Sequence, residues 1–434
     1  MRQLTALLVL AILSTNAPAE AQVGEAEIQA LRAQIEVLNQ RLDQLERQNR
    51  ELSQSLQAAP TDAGAAAFAG NQDLAERIDQ AVAEQVDERM TAVSWAERIR
   101  WQGDFRYRYE NIDQEGRDGR NRSRIRARTA LEADLSPTLE VGFGLATGGD
   151  DPVSSNQTIG GGGSSKDIKL DLAYFNWNGI ENTRITGGKF KNYLVRPGGK
   201  GLRWDGDWRP EGLGIVWDNG RFFAHGLGTW LEGDSRNGTE FGWALQGGMK
   251  FNTGETGTLS MGVGYTEFDI AGRTPIFGDP DDFFGNSFVQ DPNDPDNLVF
   301  AYNYRNYELF LDWKMKLGGH AFALFGNYTV NDEAPENDTG YLFGAKFGSA
   351  KDKGDWDITY FYEKLEADAT VGLVADSDFA GGGTDAKGHV FSGTYAFHKS
   401  WNFKATYFIN EINLASGNPV DYERLMLDLN YKFN

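Results

Sequence analysis

The sequence predicts an all-β transmembrane barrel of about 16 antiparallel strands, preceded by an N-terminal α-helical coiled coil. Three observations predict this fold. The chain begins with an export signal, a heptad repeat follows, and from about Ile99 apolar and polar residues alternate almost to the last residue. We therefore assign residues 1–21 to a signal peptide, 22–57 to a periplasmic coiled coil, 58–98 to a linker and second amphipathic helix, and 99–434 to an outer-membrane barrel.

The first residues have the organisation of a secretory signal peptide. Arg2 precedes an apolar run from Leu4 to Leu13, and Ala19, Glu20 and Ala21 give the small-x-small pattern of a cleavage site. The run is too short to cross a bilayer, and no other stretch approaches the roughly 20 apolar residues that a membrane helix needs.

Composition agrees with an exported β protein. The chain has no cysteine, 52 glycines, and 11 Trp, 16 Tyr and 27 Phe residues. This disfavours a small disulfide scaffold and favours a large β structure that packs its aromatic residues. The formal charge of -21 argues against nucleic acid as a partner.

A heptad repeat fills the segment after the signal. Ile28, Ile35, Leu42, Asn49 and Leu56 occupy one seam position, and four leucines occupy the other. This pattern predicts an oligomeric coiled coil, with Asn49 fixing its register. A single amphipathic helix lying on a domain is the alternative.

The barrel segment shows a period of two. In one clear example Tyr307, Leu309, Leu311 and Trp313 alternate with charged residues such as Glu308 and Asp312. Aromatic residues near the strand ends are typical of the girdles of membrane barrels. Because a soluble sandwich also alternates, the links between strands have to distinguish the two folds.

Short and long links follow one another. Seven short links are predicted at 136–137, 179–182, 218–220, 252–255, 318–319, 350–353 and 398–400. Seven long links are predicted at 111–120, 148–166, 191–211, 269–298, 331–337, 366–386 and 412–420. A barrel with one periplasmic rim and one outer rim produces this alternation, whereas a Greek-key sandwich mixes the two lengths.

The second predicted strand carries an arginine at every second position. The residues between these arginines, Ser123, Ile125 and Ala127, are small or apolar. On a strand the arginines share one face, and such a row cannot be buried in an ordinary core. In a barrel the row becomes a lumen wall together with two arginines of the first strand, so the predicted pore-lining residues are Arg106, Arg108, Arg122, Arg124, Arg126 and Arg128. A solvated face of a soluble sheet is the alternative.

The third long link mixes both charges with two tryptophans and a flexible Pro-Gly-Gly turn. If it folds inward, its carboxylates face the arginine wall and create a transverse field that admits small polar solutes. The predicted constriction residues are Lys200, Arg203, Asp205, Asp207, Arg209 and Glu211. Two alternatives stay open: the loop is a lid packed outside, or the arginines pair with Asp104, Glu110, Glu132 and Asp134 only to brace the wall.

Several segments carry a resemblance to a known family. GDFRYRYE from Gly103, NRSRIRARTALEADL from Asn121, LATGGDDPVSSNQT from Leu145, GKFKN from Gly188 and WDGDWRPEG from Trp204 resemble the putative-porin family of Gram-negative outer membranes. The combination of signal, coiled coil and barrel is similar as well. The resemblance implies a trimeric diffusion porin whose third outer loop folds into the lumen, with no catalytic residues.

The sequence also predicts partners. The final strand is amphipathic and ends on Phe433, which resembles the signal read by the barrel assembly machinery. We expect outer-membrane lipid and lipopolysaccharide around the barrel, a homotrimer, and contact with periplasmic or cell-wall material through the coiled coil.

The sequence gives little indication of catalytic or metal-binding residues. The four histidines, His225, His320, His389 and His398, have no metal spacing and no nucleophile arrangement, so we expect no catalytic residue, metal or cofactor. The acidic fifth loop could bind calcium loosely or simply be solvated. Passive diffusion of small polar or charged solutes is the predicted function. An anion-selective channel for phosphate or carboxylates, and a structural anchor tethered by the coiled coil, are the alternatives.

Overall fold

The computed structural model describes Arg47 and residues 98–236, 238–254, 257–277 and 281–433. The chain divides into two units, 1–93 and 94–434, and the second contains the barrel. The predicted signal peptide, linker and second helix lie outside the described residues, and of the predicted coiled coil only Arg47 is described. Among the described residues, no helix combines the length and the apolar character that crossing a membrane requires.

Sixteen long antiparallel strands close into a barrel in the part of the chain that the structure describes, so the predicted fold class is confirmed for this part. The strands are β1 Ile99–Gln114, β2 Arg120–Ser136, β3 Leu139–Thr147, β4 Ile168–Ile180, β5 Thr183–Lys189, β6 Glu211–Asp218, β7 Phe222–Glu232, β8 Glu240–Asn252, β9 Thr258–Phe268, β10 Tyr304–Leu317, β11 His320–Asn331, β12 Thr339–Gly348, β13 Trp356–Leu365, β14 Ala386–His398, β15 Trp401–Ile412 and β16 Val420–Phe433.

Each strand pairs with its neighbours in the sequence, and the first pairs with the last. The β1–β16 register runs from Gly103 opposite Phe433 to Gln114 opposite Tyr422. Trp101 at the start of β1 meets the Phe433 ring edge-on at 5.2 Å between ring centroids. Closure leaves the long strands without an unpaired edge, which is the condition for a sheet to cross a bilayer.

The strands place their apolar side chains outside the barrel. On β10, Leu309 and Leu311 are 58% and 41% exposed, whereas Glu308 and Asp312, which flank them in the sequence, are buried. This is the reverse of a soluble sheet, where the apolar face is the covered one. An apolar outer face with a polar interior suits a barrel surrounded by lipid.

The links alternate between two rims, with three differences from the expected lengths. We number the eight links that follow odd strands as loops 1 to 8, in chain order. Loop 1 is short because β1 continues to Gln114, and loop 4, between Glu232 and Glu240, was not among the predicted long links. The link between Gly348 and Trp356, on the short-turn rim, is longer than predicted. Strand length, which depends on pairing across the sheet, sets these boundaries more than local composition does.

Three loops pack against inward-facing side chains of the barrel wall. Trp204 and Trp208 of loop 3 lie in one apolar cluster with Phe283 of loop 5, Val374 of loop 7 and Phe268 of β9. In a second cluster Leu202 of loop 3 and Phe379 of loop 7 pack with inner-face residues Phe325, Phe361 and Phe408. Burying each large apolar side chain stabilises this arrangement by about 1.5–3 kcal/mol. Loops 3 and 7 therefore have defined positions within the barrel.

Candidate functional site: the arginine wall and two loops

The arginines of β1 and β2 lie directly opposite one another. The register places Arg106 across from Arg126 and Arg108 across from Arg124. Like charges at directly opposed positions destabilise a sheet, so this pairing requires counter-charges from elsewhere. The structure supplies them from three places: neighbouring strand positions, loop 3 and loop 7.

Asp104 of β1 and Asp207 of loop 3 together neutralise the end of the row nearer the short-turn rim. Arg126 and Arg128 both donate to the Asp104 carboxylate, at 2.8 Å and 2.9 Å. Arg128 Nη1 also donates to Asp207 Oδ1 at 2.7 Å, and Arg126 Nη1 to Asp207 Oδ2 at 3.4 Å. Burial disfavours the Asp207 carboxylate, but Arg126 and Arg128 outweigh it and hold its pKa well below the usual range.

Glu110 is the counter-charge at the end of the row nearer loop 1. Its side chain is fully buried and accepts hydrogen bonds from Arg122 Nε and from Arg424 Nη2 of β16, the latter at 2.8 Å. Arg124 Nη1 lies 3.7 Å from the same carboxylate. A buried carboxylate with this many charged donors fixes the side chains around it.

Arg108 is shared between the last strand and loop 7. Its Nε donates to Asp428 Oδ1 of β16 at 2.6 Å, and its Nη1 donates to Asp378 of loop 7 at 2.8 Å. Asp378 accepts from Arg424 as well, at 3.2 Å. Although burial opposes ionisation, Arg108 and Arg424 lower the pKa of Asp378. Loop 7 thus contributes a central charge to the wall, and sequence reasoning did not identify it.

Arg106 and Arg124 donate their hydrogen bonds to an uncharged residue. Arg106 Nη2 donates to Asn156 Oδ1 of loop 2 at 2.5 Å, and Arg124 Nη2 donates to the Asn156 carbonyl at 3.2 Å. The Nε atoms of both arginines are buried and have no hydrogen-bond partner among the described residues. These two side chains carry the least compensated positive charge of the six.

Arg203 and Arg209 of loop 3 contact the barrel strands β4, β9 and β10, and not the arginine wall. Arg203 is buried and donates to Glu308 of β10 at 2.9 Å and to Thr266 of β9. Arg209 lies 3.2 Å from Asp171 of β4. Glu211 begins β6 and pairs with Lys189 of β5 at 2.5 Å, with its side chain largely exposed. Of the two predicted aspartates, Asp207 contacts the arginines and Asp205 does not.

Asp205 joins loop 3 to loop 7. Its carboxylate accepts hydrogen bonds from the Ser377 N–H at 2.8 Å and the Ser377 hydroxyl at 2.9 Å. The Asp205 N–H donates to the Val374 carbonyl at 2.8 Å. Burial, followed by the nearby Asp376 and Asp207 carboxylates, raises the pKa of Asp205 well above its usual value. The two loops are therefore connected through side-chain and backbone contacts.

A glycine turn brings loop 3 against the wall. Gly198 has φ of +60°, and its N–H donates to Asp312 of β10 at 3.1 Å. A Cβ at this position would lie 2.5 Å from the Phe325 ring. Both the left-handed backbone and the contact with Phe325 therefore require glycine.

Lys200 follows this turn and lies over the Phe361 ring, with its Nζ 4.7 Å from the ring centroid. Burial lowers the pKa of Lys200 to about 8, and the positive charge of Lys404 acts in the same direction. A lysine that is both buried and close to a second cation is a poorly compensated charge.

A cavity of about 320 Å³ lies between loop 3, loop 7 and the strands that meet at the barrel seam. Arg106, Arg108, Arg126, Lys200, Lys404 and Lys432 line it together with Asp376, Asp378 and Asp428. Sequence reasoning did not name Lys404 or Lys432 as site residues. Their inward orientation could have been predicted from the sequence, because both lysines alternate with outward-facing apolar residues on the last two strands.

Two larger cavities lie nearer the long-loop rim. One of about 550 Å³ is lined by Arg117, Arg120, Arg122 and Arg424 beside Tyr422 and the Gly381–Gly382 backbone of loop 7. Another of about 670 Å³ lies among loops 2, 3, 5 and 7. Asp378 contacts both Arg424, which lines the 550 Å³ cavity, and Arg108, which lines the 320 Å³ cavity.

Within the described ranges of the chain, no group of three or more Asp, Glu or His side chains is placed to hold a metal ion. In the acidic part of loop 5, the Asp291 carboxylate accepts from the Asn293 N–H, and that of Asp294 from Asn297 Nδ2, both at 2.8 Å. These carboxylates accept hydrogen bonds within their own loop.

Sequence comparison identifies the family. Residues 111–278 and 298–433 match the family model described as "Putative porin". The chain belongs to this porin family. With the closed sixteen-strand barrel, membership makes the protein an outer-membrane porin, and the predicted resemblance is confirmed. No curated protein sequence matches the chain.

The barrel is also similar to solved structures. The porin superposes on OprB of Pseudomonas putida, in its high-pH structure, with a TM-score of 0.54 at 12% identity, covering 79% of this chain and 96% of that chain. It also matches OmpF of Salmonella typhi in complex with daunomycin, with a TM-score of 0.46 at 14% identity, covering 77% and 97%. At such identities the OprB likeness shows the barrel architecture alone.

Proposed function

We propose that this porin lets small polar and charged solutes diffuse passively across the outer membrane, through a water-filled lumen in which loop 3 narrows the path beside the arginine wall. One observation carries the proposal: Asp207 of loop 3 contacts Arg126 and Arg128 on the inner face of β2. A loop packed outside the barrel could not make that contact. The predicted constriction therefore involves Asp207, while Arg203 attaches the same loop to β10.

The charges explain how such a passage would sort solutes. Arginines lie along one wall, and the carboxylates of Asp207 and Asp378 lie on the loops beside it. Opposed charges in a low-dielectric tube produce a transverse field, which orients water and dipolar solutes and disfavours apolar ones. With this arrangement, small hydrophilic molecules can diffuse through the lumen without a conformational change of the protein.

A preference for anions is the second candidate, and a specific observation favours it. Arg106, Lys200, Lys404 and Lys432 line one cavity, and no carboxylate of the described residues forms an ion pair within 4.0 Å of any of them. Fixed cations without counter-ions concentrate mobile anions. The path beside β1, β15 and β16 would then carry anions more readily than cations.

The test is conductance of the purified protein in a planar bilayer, with the reversal potential measured under a KCl gradient. Stepwise conductance is expected, and its absence would leave the structural-anchor alternative. Replacing Arg124→Glu and Arg126→Glu should shift selectivity toward cations. Arg236→Glu is the control, because Arg236 is exposed in loop 4 and pairs only with neighbouring Asp234 among the described residues. An unchanged reversal potential in the double variant would overturn the role of the wall.

We also propose a homotrimer in outer-membrane lipid and lipopolysaccharide, with the coiled coil in the periplasm. The heptads of residues 22–57 support self-association. Light scattering of the protein in mild detergent should give three chains per particle. Deleting residues 22–57 distinguishes a trimer held by the coil, which would dissociate, from one held by the barrels, which would persist.

A further inference from the structure

The cavity of about 320 Å³ has two chemically different sides. One side carries the cationic groups of Arg106, Lys200, Lys404 and Lys432. The other side carries the side chains of Phe361, Val390, Phe408 and Met426, which belong to the second apolar cluster. Both sides line the same space, at the small end of the range for ligand pockets, roughly 300–1,000 Å³.

The cations outnumber the carboxylates in the lining of the cavity, which contains six Lys or Arg side chains and three Asp side chains. Asp428 and Asp378 both accept from Arg108, and Asp378 also accepts from Arg424. Asp376 accepts from the Asp378 N–H at 2.9 Å. The remaining carboxylate beside the wall, that of Asp207, forms ion pairs with Arg126 and Arg128.

The four cations approach the cavity from independent elements. Arg106 comes from β1, Lys404 from β15, Lys432 from β16 and Lys200 from loop 3. Lys200 is held over the Phe361 ring, so one of the cations lies at the border with the apolar side. Amide and hydroxyl groups of Asn402, Asn430, Ser392 and Thr406 fill the lining between them.

Resting on the porin function proposed above, we propose that this cavity is a binding site for small organic carboxylates that have an apolar body, of the size and shape of benzoate. The carboxylate accepts from Lys404, Lys200 and Arg106, and the body lies against Phe361, Phe408 and Met426. The site slows and selects these solutes during passage, so the porin favours them over other ions of the same charge.

Two other solute classes fit the lining less well. Inorganic phosphate would satisfy the cations, but its hydration shell would face Phe361, Phe408 and Met426, and desolvating it there is unfavourable. A neutral sugar could stack on the rings, but it would bring no charge to balance the excess of cations over carboxylates in the lining. An anion with an apolar body satisfies both sides at once.

Current block in a planar bilayer tests the proposal with a set of matched solutes. The full-length porin is held in KCl, and benzoate, acetate and benzyl alcohol are added in turn. Benzoate should reduce the current at a concentration about tenfold below that of acetate, which lacks the apolar body, and benzyl alcohol, which lacks the charge, should have little effect. Equal block by benzoate and acetate would overturn the proposal.

A lysine substitution locates the site. Lys404→Gln should raise the half-blocking concentration of benzoate about tenfold, the size expected for losing one charge-assisted contact. Lys387→Gln is the matched control, because Lys387 lies on neighbouring β14, pairs with Glu411 at 3.0 Å and does not line this cavity. Equal effects of the two substitutions would overturn the assignment.

A second measurement separates this inference from the proposed function. Calorimetric titration of benzoate into the detergent-solubilised porin reports binding whether or not the protein conducts. Conductance in KCl without benzoate binding would retain the porin function and reject the site. Binding that Lys404→Gln weakens, in a protein that does not conduct, would retain the site and reject diffusion.

Discussion

Asp207 of loop 3 accepts a hydrogen bond from Arg128 of β2 at 2.7 Å, and this contact holds the loop to the arginine wall. The same carboxylate also accepts hydrogen bonds from Arg126 and from the Ser155 hydroxyl of loop 2. One loop side chain thus compensates two arginines and contacts a second loop. Its environment gives the first prediction.

Replacing Asp207→Asn should release this end of loop 3 and leave Arg126 and Arg128 with Asp104 as their only carboxylate among the described residues. Removing one partner from a buried ion pair costs about 3–5 kcal/mol when the other charge is left without compensation, and Asp104, which still accepts from both arginines, should keep the cost below that range. We expect noisier single-channel currents and a reversal potential shifted further toward anions. Glu211→Gln is the control, since the exposed pair with Lys189 should contribute only about 0–1 kcal/mol. Identical recordings from both variants would contradict the prediction.

Adding a methyl group at Gly198 should displace the loop 3 turn. Gly198→Ala introduces a Cβ 2.5 Å from the Phe325 ring on a backbone with φ of +60°. Gly199→Ala is a closely matched control, because Gly199 has φ of +69° but open space around its Cβ. Both variants carry the backbone strain of about 1–3 kcal/mol, so a change in conductance confined to Gly198→Ala isolates the contact with Phe325. Equal conductance changes would show that backbone conformation alone matters.

Arg203→Met should lower the stability of the barrel. The variant leaves Glu308 buried without its cationic partner, at a cost of about 3–5 kcal/mol. The double variant Arg203→Met with Glu308→Gln should recover part of this loss, because the neutral amide leaves no unpaired buried charge and its oxygen can still accept from one of the two donors, Gln246 or Asn327.

Thermal unfolding followed by circular dichroism measures this effect for the single and double variants. Each variant is compared with the wild-type porin under one detergent condition. A double variant that is no more stable than the single one would show that packing around Arg203, and not the buried charge, determines the loss.

Anion preference should fall as pH rises through about 8. Burial lowers the pKa of Lys200 to about 8, so its ammonium group is charged below this pH and neutral above it. The charged groups nearest to it are Lys404, Lys346, Asp376 and Asp357. Reversal potentials between pH 7 and pH 9.5 measure the change, and Lys200→Gln should remove it. A pH response that persists in Lys200→Gln would assign the titration to another group.

Much of the barrel could be predicted because lipid imposes a strict pattern on each strand. Leu309 and Leu311 face outward and Glu308 and Asp312 inward, so a period of two is visible in the sequence itself. Loop contacts have no such period. Nothing local to Asp378 indicates that it lies between Arg108 and Arg424, because those partners are far away in the sequence.

In loop 3, the local sequence does not predict which of two acidic residues contacts the arginines. Asp205 and Asp207 are two residues apart and chemically identical, yet Asp207 meets two arginines whereas Asp205 meets Ser377. The route of the backbone, set by the Gly198 turn and the packing of Trp204 on Trp208, decides between them. Lys404 and Lys432, in contrast, lie on strands, and their inward orientation follows from alternation.

Arg108 of the first strand donates to Asp428 of the last strand, and this contact has a consequence for assembly. These two strands become neighbours only when the sheet closes on itself, so an open intermediate contains Arg108 opposite Arg124 before its acceptor Asp428 arrives. Self-repulsion in the open sheet and its relief on closure favour the complete ring over partly zipped forms. The contact between Arg108 and Asp428 therefore favours the closed barrel over open forms of the sheet.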